Sequence, residues 1–242
     1  MLRRALILLW RGWFIFLAVT GVLFFGILIL FFIFSKKQYP QAYIFLRAWA
    51  FYVFYGSGLW IKHLNERRLP SDLQCVIVSN HTSMMDIMLM YILVKKPMVF
   101  VGKAELTKLP VFGIVFKKLN IVVDRKDPNS RIKVFRQAAE KIKSGYSICI
   151  FPEGGVPERE VELAPFLDGP FAIATMNNLP LAVYSICGMK ERLPYAYFEG
   201  GPGEVQVALH PIIQPGSYTR KELEKYKTDV YETILEGLRN CE

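Results

Sequence analysis

A histidine and an aspartate five residues apart, in Asn80-His81-Thr82-Ser83-Met84-Met85-Asp86, form the pair in this chain best suited to moving a proton. On one continuous helix of 3.6 residues per turn, positions five apart lie about 140° apart around the axis. Contact between His81 and Asp86 therefore requires His81 to sit in a turn, with a helix starting near Thr82 or Ser83. Asp86 then accepts a hydrogen bond from one ring nitrogen, which fixes the tautomer and leaves the other nitrogen to act as a base. An isolated match of this kind also describes a surface histidine beside an ordinary helical aspartate, so placement in the fold must separate the two readings. Other chemistries find less support. There is no G-x-S-x-G elbow. With no H-E-x-x-H and with His63, His81 and His210 as the only histidines, no metal site is expected. Cys75, Cys149, Cys187 and Cys241 form no C-x-x-C pair, and three of them lie in apolar strand-like runs. They read as reduced, buried hydrophobes in a reducing compartment, without a disulfide framework.

The elements that must position the pair follow from periodicity. Short β-rich runs are expected at Gln74–Ser79, Met98–Val101, Asn120–Val123, Ser147–Phe151, Leu181–Cys187 and Glu204–His210. Between them, helical patterns cover Ser83–Val94, Ala104–Lys118 (kinked by Pro110), Ser130–Ser144 and Asp168–Asn178. Ser130 is the expected N-cap of the third, and Gly145 stands just past its end. A Thr219-x-x-Glu222 capping box precedes a last helix with Leu223, Tyr226, Val230, Ile234 and Leu238 on one face. Strands alternating with helices predict an α/β fold, a largely parallel or mixed sheet flanked by helices. Ligands of such sheets gather at the carboxyl ends of the strands. The polar residues in that position are Asn80-His81, Gly102-Lys103, Asp124-Arg125 and Pro152-Glu153-Gly154, four turns that a parallel sheet brings to one edge.

The first sixty residues differ from the rest. Hydrophobic residues make up 52% of the 242, and the excess is concentrated there. Trp13 to Phe34 carries no charge, and as a helix it spans about 33 Å, enough to cross a hydrocarbon core. Arg3, Arg4 and Arg11 precede it; Lys36 and Lys37 follow. Pro40 breaks the pattern, and a second apolar stretch, Ala48–Ile61, is rich in aromatics suited to the headgroup boundary. A single span with an interfacial second helix and a helical pair dipping into one leaflet both satisfy this pattern. The expected division is thus an N-terminal membrane-embedded helical pair over residues 1–65 and a catalytic domain over 66–242. The formal charge of +9 suits an anionic membrane surface; with no dense Lys/Arg run, no nucleic-acid partner is expected.

Taken in order, these segments resemble the glycerolipid acyltransferases, of which the 1-acylglycerol-3-phosphate acyltransferases are the best-known members. Asn80-His81-x4-Asp86 resembles their first motif. Val122-Val123-Asp124-Arg125 looks like the second, with Arg125 in the arginine position, and Gly102-Lys103-Ala104-Glu105-Leu106 is similar to the stretch ahead of it. Phe151-Pro152-Glu153-Gly154 looks like the third, and Asn178-Leu179-Pro180-Leu181 resembles the start of the fourth. The similarity runs from about residue 75 to about 185.

The resemblance implies catalysis by His81 and Asp86, with acceptor binding by Asn80, Lys103, Arg125, Glu153, Gly154 and Gly155. It implies transfer of an acyl group from acyl-CoA or acyl carrier protein to a membrane lipid hydroxyl, with no cofactor beyond that co-substrate. The product expected is phosphatidic acid, made, in a bacterium, on the cytoplasmic side of the inner membrane. The chain also departs from the family. Its third motif usually continues Thr-Arg-Ser, where this chain has Gly155-Val156-Pro157; Ala182 stands where the fourth motif often has its second proline. The thinned phosphate-reading set leaves a lyso-aminolipid acceptor as an alternative. A membrane-associated lipid-binding protein without catalysis is a second one, against which the intact His81 and Asp86 argue.

Overall fold

The computed structural model describes residues 1–33, 39–109, 112–124 and 127–241. Two helices come first. α1 runs from Leu2 to Phe32 and α2 from Tyr39 to Gly56. The basic residues at the start of the chain are therefore within α1; Lys36 and Lys37 lie outside the described residues. Pro40 stands in the first turn of α2, where its missing N–H is no loss, so the helix starts there instead of breaking. The two helices pack closely because Gly21 has no side chain: a Cβ there would lie 2.5 Å from the Trp49 ring. The indole N–H groups of Trp10 and Trp13 donate to the carbonyls of Ser57 and Gly56, both at 2.8 Å, serving carbonyls that the end of a helix leaves without partners.

Beyond Gly58, whose φ of 74° turns the chain, the expected apolar helix gives way to an edge strand, β1 (Leu59–His63). It lies on the anchor side of the boundary expected at residue 65, yet it belongs to the sheet. The elements that follow are β2 (Val76–Ser79), α3 (Met85–Leu93), β3 (Met98–Lys103), α4 (Phe112–Leu119), β4 (Ile121–Val123), α5 (Pro128–Lys143) and β5 (Ser147–Ile150). Then come α6 (Gly169–Met176), β6 (Leu181–Cys187), the short α7 (Met189–Arg192), β7 (Gly203–Leu209) and α8 (Leu223–Arg239). The strands form one sheet in the order β1-β7-β6-β2-β5-β3-β4. All neighbouring pairs are parallel except β6 with β7. The sheet is mixed, and its parallel part holds β2, β3, β4 and β5, the strands that precede the four turns picked out above. β2 and β5 are buried along their whole length, as strands covered on both faces must be.

Some local expectations change. The stretch after β3 is a 3-10 turn over Ala104–Lys108 followed by α4, and Pro110 lies outside the described residues. Ser130 is inside α5, not its cap; its hydroxyl accepts a hydrogen bond from the Asp124 N–H at 2.9 Å. The Thr219–Glu222 capping box is present. Tyr226, Val230 and Ile234 of α8 are buried on the core as their spacing predicts. Cys187 and Cys241 are joined in a disulfide, against the expectation of four free thiols. The pairing was invisible in a spacing of 54 residues because it depends on α8 laying its end over the end of β6.

α2 ties the helical pair to the domain. Tyr39 and Tyr43 donate to the carbonyls of Met98 and Val94, at 2.5 and 3.0 Å. Arg47 donates to the carbonyls of Tyr91 and Ile92 at the end of α3, where a cation suits the helix C-terminus. α1 lies along this assembly with its outer face uncovered: Trp13, Phe16, Leu23, Phe24, Ile27 and Phe31 are exposed.

Candidate active site

The turn between β2 and α3 holds His81 and Asp86 together. Helix α3 starts at Met85, later than expected, so His81 remains outside the helix and Asp86 falls in the first helical turn. His81 Nδ1 is 2.9 Å from Asp86 Oδ2. The same oxygen accepts the backbone N–H groups of Thr82 (2.6 Å) and Ser83 (2.8 Å), so the carboxylate both aims the ring and holds the turn that carries it. Asp86 has no exposed side-chain surface, whereas the His81 side chain keeps 15%. The ring lies flat on Phe151, with centroids 3.9 Å apart and planes 10° from parallel. Packing on one face and a hydrogen bond at Nδ1 leave Nε2 as the edge able to take a proton.

Asn80 and Glu153 hold this turn from either side. The Asn80 side chain is buried and pairs with the backbone of β6, donating to the Ile186 carbonyl at 2.7 Å and accepting the Ile186 N–H at 2.8 Å. Glu153 accepts the His81 N–H at Oε1 (2.6 Å) and the Ala164 N–H at Oε2 (2.9 Å). It thus bridges the His81 turn and the returning 156–165 loop. Burial pushes the Glu153 carboxyl above its ordinary value, and the two amide bonds offset part of that. The Gly154 amide is spent on the Phe151 carbonyl at 3.0 Å, in a turn whose φ of 77° favours glycine. Gly155 follows in the same bend.

Across the edge, Lys103 ends β3 with its side chain exposed. Arg125 lies outside the described residues. The structure therefore brings His81, Asp86, Asn80 and Glu153 into one bonded cluster, with Gly154 and Gly155 in the adjoining turn. It leaves Lys103 two strands away from β2. Phe151 and Ser83 also touch the cluster or its turn, and neither is among the site residues expected from sequence. The aromatic ahead of Pro152-Glu153 was the available signal for Phe151. From sequence Ser83 is only a candidate helix start, and nothing there shows that its hydroxyl donates to the Leu193 carbonyl, at 2.8 Å.

An apolar cleft opens between the helical pair and the domain, lined among others by Gly26, Trp49, Ile87, Tyr91, Phe100 and Phe116. Phe100 stacks on Phe151 at 6.1 Å, so a run of rings leads from the cleft to His81. The cysteines offer no competing nucleophile. Burial pushes the Cys75 thiol up to about 12 and the Cys149 thiol well above its usual value, and the other two are bonded to each other. Among the described residues no three His, Cys, Asp or Glu side chains gather as a metal site would need.

Comparison with known proteins points the same way. A family model described as acyltransferase matches residues 61–187. A chloroplastic 1-acyl-sn-glycerol-3-phosphate acyltransferase of Brassica napus is 30% identical over 187 residues, 75% of this chain and 53% of that protein. The chain thus spans about half the length of this plastid relative. The enzyme of the same name from Haemophilus influenzae is 27% identical over 75% of this chain and 76% of its own. The crystal structure of the 1-acyl-sn-glycerophosphate acyltransferase PlsC from Thermotoga maritima superposes with a TM-score of 0.80, covering 100% of this chain and 98% of that one at 24% identity, and so shares the fold. With the family's model laid over β1 to β6 and the His81–Asp86 turn inside it, the chain belongs to the acyltransferase family.

Proposed function

We propose that the chain is an O-acyltransferase that moves a fatty acyl group from acyl-CoA or acyl carrier protein to the free hydroxyl of 1-acylglycerol-3-phosphate, giving phosphatidic acid. The observation that carries this reading is the His81 ring, bonded to Asp86 at Nδ1 and free to act at Nε2. Nε2 takes the proton of the acceptor hydroxyl as its oxygen attacks the thioester carbonyl carbon. Asp86 stabilises the imidazolium that forms. The tetrahedral intermediate then expels the thiolate, breaking the C–S bond, and the imidazolium returns the proton to sulfur. A thiol of pKa about 8.5 leaves without a strong acid. A positioned base of this kind contributes about 10²–10⁴-fold. Asn80 and Glu153 serve the base by fixing its turn. Lys103 and Arg125 are the cations proposed to meet the acceptor's anionic headgroup, with the Gly154-Gly155 bend beside it. The apolar lining of the cleft between the helical pair and α3 makes it the place we assign to the acyl chain.

The helical pair anchors the enzyme. α1 is long and apolar enough to cross a membrane. It is nevertheless held at both levels of the domain: Arg11 bonds to the loop after α7, and Ile29 and Ile33 are buried near its far end. That packing favours the pair lying in one leaflet over a span that leaves the domain behind. In a bacterium the domain then works on the cytoplasmic face of the inner membrane.

The test is an acceptor panel with purified protein, an acyl-CoA or acyl carrier protein donor, and products followed by mass spectrometry. Phosphatidic acid formed from 1-acylglycerol-3-phosphate supports the assignment. Val156, where the family's third motif usually has arginine, favours a second reading, a lyso-aminolipid acceptor. Turnover of that acceptor alone would move the assignment there.

A further inference from the structure

After β6 and α7 the chain enters a loop, Leu193–Pro202, that turns three aromatic side chains outward: Tyr195, Tyr197 and Phe198 are 60%, 76% and 55% exposed. The loop is firmly held from within. Arg11 of α1 donates to the Pro194 carbonyl at 2.8 Å and to the Glu199 carbonyl at 2.8 and 3.1 Å. Arg159 pairs with the Glu199 carboxylate at 2.5 Å, and the Gly201 N–H donates to the Arg192 carbonyl at 3.0 Å. Its first carbonyl, that of Leu193, receives the Ser83 hydroxyl from the active-site turn. The backbone's polar groups are thus turned toward the protein while the rings face out, the reverse of what a loop bathed in water needs.

Two features say what covers the rings. The first is continuity. The opening turns of α1, packed on this loop through Arg11, expose Leu2, Leu6, Leu9 and Trp13, so the aromatic patch prolongs the uncovered apolar face of α1. The second is charge. The Arg4 guanidinium stands 5.7 Å over the Phe198 ring, and Arg3 is close enough for its field to lower the Glu199 carboxyl, after the larger effect of the Arg159 hydrogen bond. Tyrosine and phenylalanine beside arginine match the headgroup boundary of an anionic bilayer, where rings sit at the acyl edge and guanidinium groups meet phosphate.

We infer that the Leu193–Gly201 loop is a second membrane contact: Tyr195, Tyr197 and Phe198 insert at the headgroup boundary of an anionic bilayer while Arg3 and Arg4 pair with lipid phosphates. This sets the mouth of the His81 site at the depth of a lysolipid hydroxyl, a consequence that rests on the function proposed above; the contact itself does not.

The experiment uses the full chain, oxidised, with a single added thiol at Tyr197→Cys, Phe198→Cys, Leu9→Cys or Lys225→Cys, each labelled with an environment-sensitive fluorophore. Cys75 and Cys149 are buried and Cys187 is bonded to Cys241, so the added thiol takes the label. The proteins are bound to phosphatidylglycerol–phosphatidylethanolamine vesicles containing a lipid with a nitroxide high on its acyl chain. The expected result is quenching of about twofold or more at positions 9, 197 and 198 and none at the exposed position 225 of α8. Quenching at position 9 without quenching at 197 and 198 overturns the inference alone. No quenching at any of the three overturns it together with the anchoring role of α1. Acyl transfer measured on the same samples is scored separately, so a failed activity assignment does not masquerade as a failed contact.

Discussion

At the ends of β2 and β5, Asn80, Asp86 and Glu153 are each held by two or more hydrogen bonds, and the His81 ring is clamped between a carboxylate and an aromatic face. At the end of β3, on the same edge of the same sheet, Lys103 stands exposed. The contrast separates two demands on one site. A base must meet its proton within a fraction of an ångström, because a displacement of about 1 Å costs about 10²-fold in rate. A cation that attracts a charged headgroup works over a longer range and tolerates a flexible stem. The rigid half is also the half the family resemblance matches without exception; the departure at Val156 concerns headgroup reading.

That contrast can be broken in graded steps. Replacing the proposed base, His81→Ala, should lower kcat by about 10²–10⁴-fold with little change in folding, since the ring reaches the surface; single-turnover kinetics and circular dichroism check both halves. Asp86→Asn should come next, at about 10²-fold in kcat: the amide keeps an oxygen for the Thr82 and Ser83 N–H groups but loses the charge that stabilises the imidazolium. An unchanged kcat in Asp86→Asn would remove the carboxylate from the mechanism.

Glu153→Gln tests the scaffold itself. One of the two backbone N–H groups would face an amide NH2, so the His81 turn should loosen and kcat fall about tenfold, less than the about 10²-fold of a full 1 Å displacement, while KM for the acceptor stays nearly constant. A large rise in KM with kcat unchanged would instead make Glu153 an acceptor ligand. The same variant carries a pH signature. The folded state holds the Glu153 proton more tightly than the unfolded chain does, because burial raises the carboxyl above 4.5. Between those two values the folded state binds more protons, so this group's contribution to stability falls as pH rises through the window. Urea midpoints of the parent minus Glu153→Gln should show that decline, and a flat difference would mean the carboxyl is not buried in solution.

The smallest effect belongs to the open half. Lys103→Ala should raise KM for an anionic acceptor about threefold, in line with the up to about 1 kcal/mol of an exposed ion pair, and leave kcat unchanged. High salt should erase the difference.

Much of this design could be read from residue order. The runs at β2, β5 and β6 are rich in β-branched and apolar residues with one serine each, and buried strands of a parallel sheet look like that. Because the carboxyl ends of β2 and β5 share an edge, Asn80-His81 and Pro152-Glu153-Gly154 fall together while Lys103 stands apart, and His81 meets Asp86 as the turn geometry required. The edge strand β1 was missed: Leu59–His63 buries only its first residue and takes its extended form from β7, more than a hundred residues away. α7, four residues long, is too short for periodicity to reveal.

Sequence by itself thus determined the identity and local order of the chemical pair, the α/β alternation and the apolar bias of the first sixty residues, because these depend on side-chain type and on neighbours a few positions away. The tertiary structure decided what long-range partners decide: that Asn80 grips β6, that Glu153 joins His81 to the Ala164 loop, that Cys187 meets Cys241, and that Arg11 fastens the apolar helix α1 beside the site. Hydrogen bonds and disulfides form between groups that folding brings within about 3 Å, and nothing in the spacing of residues along a chain records that distance.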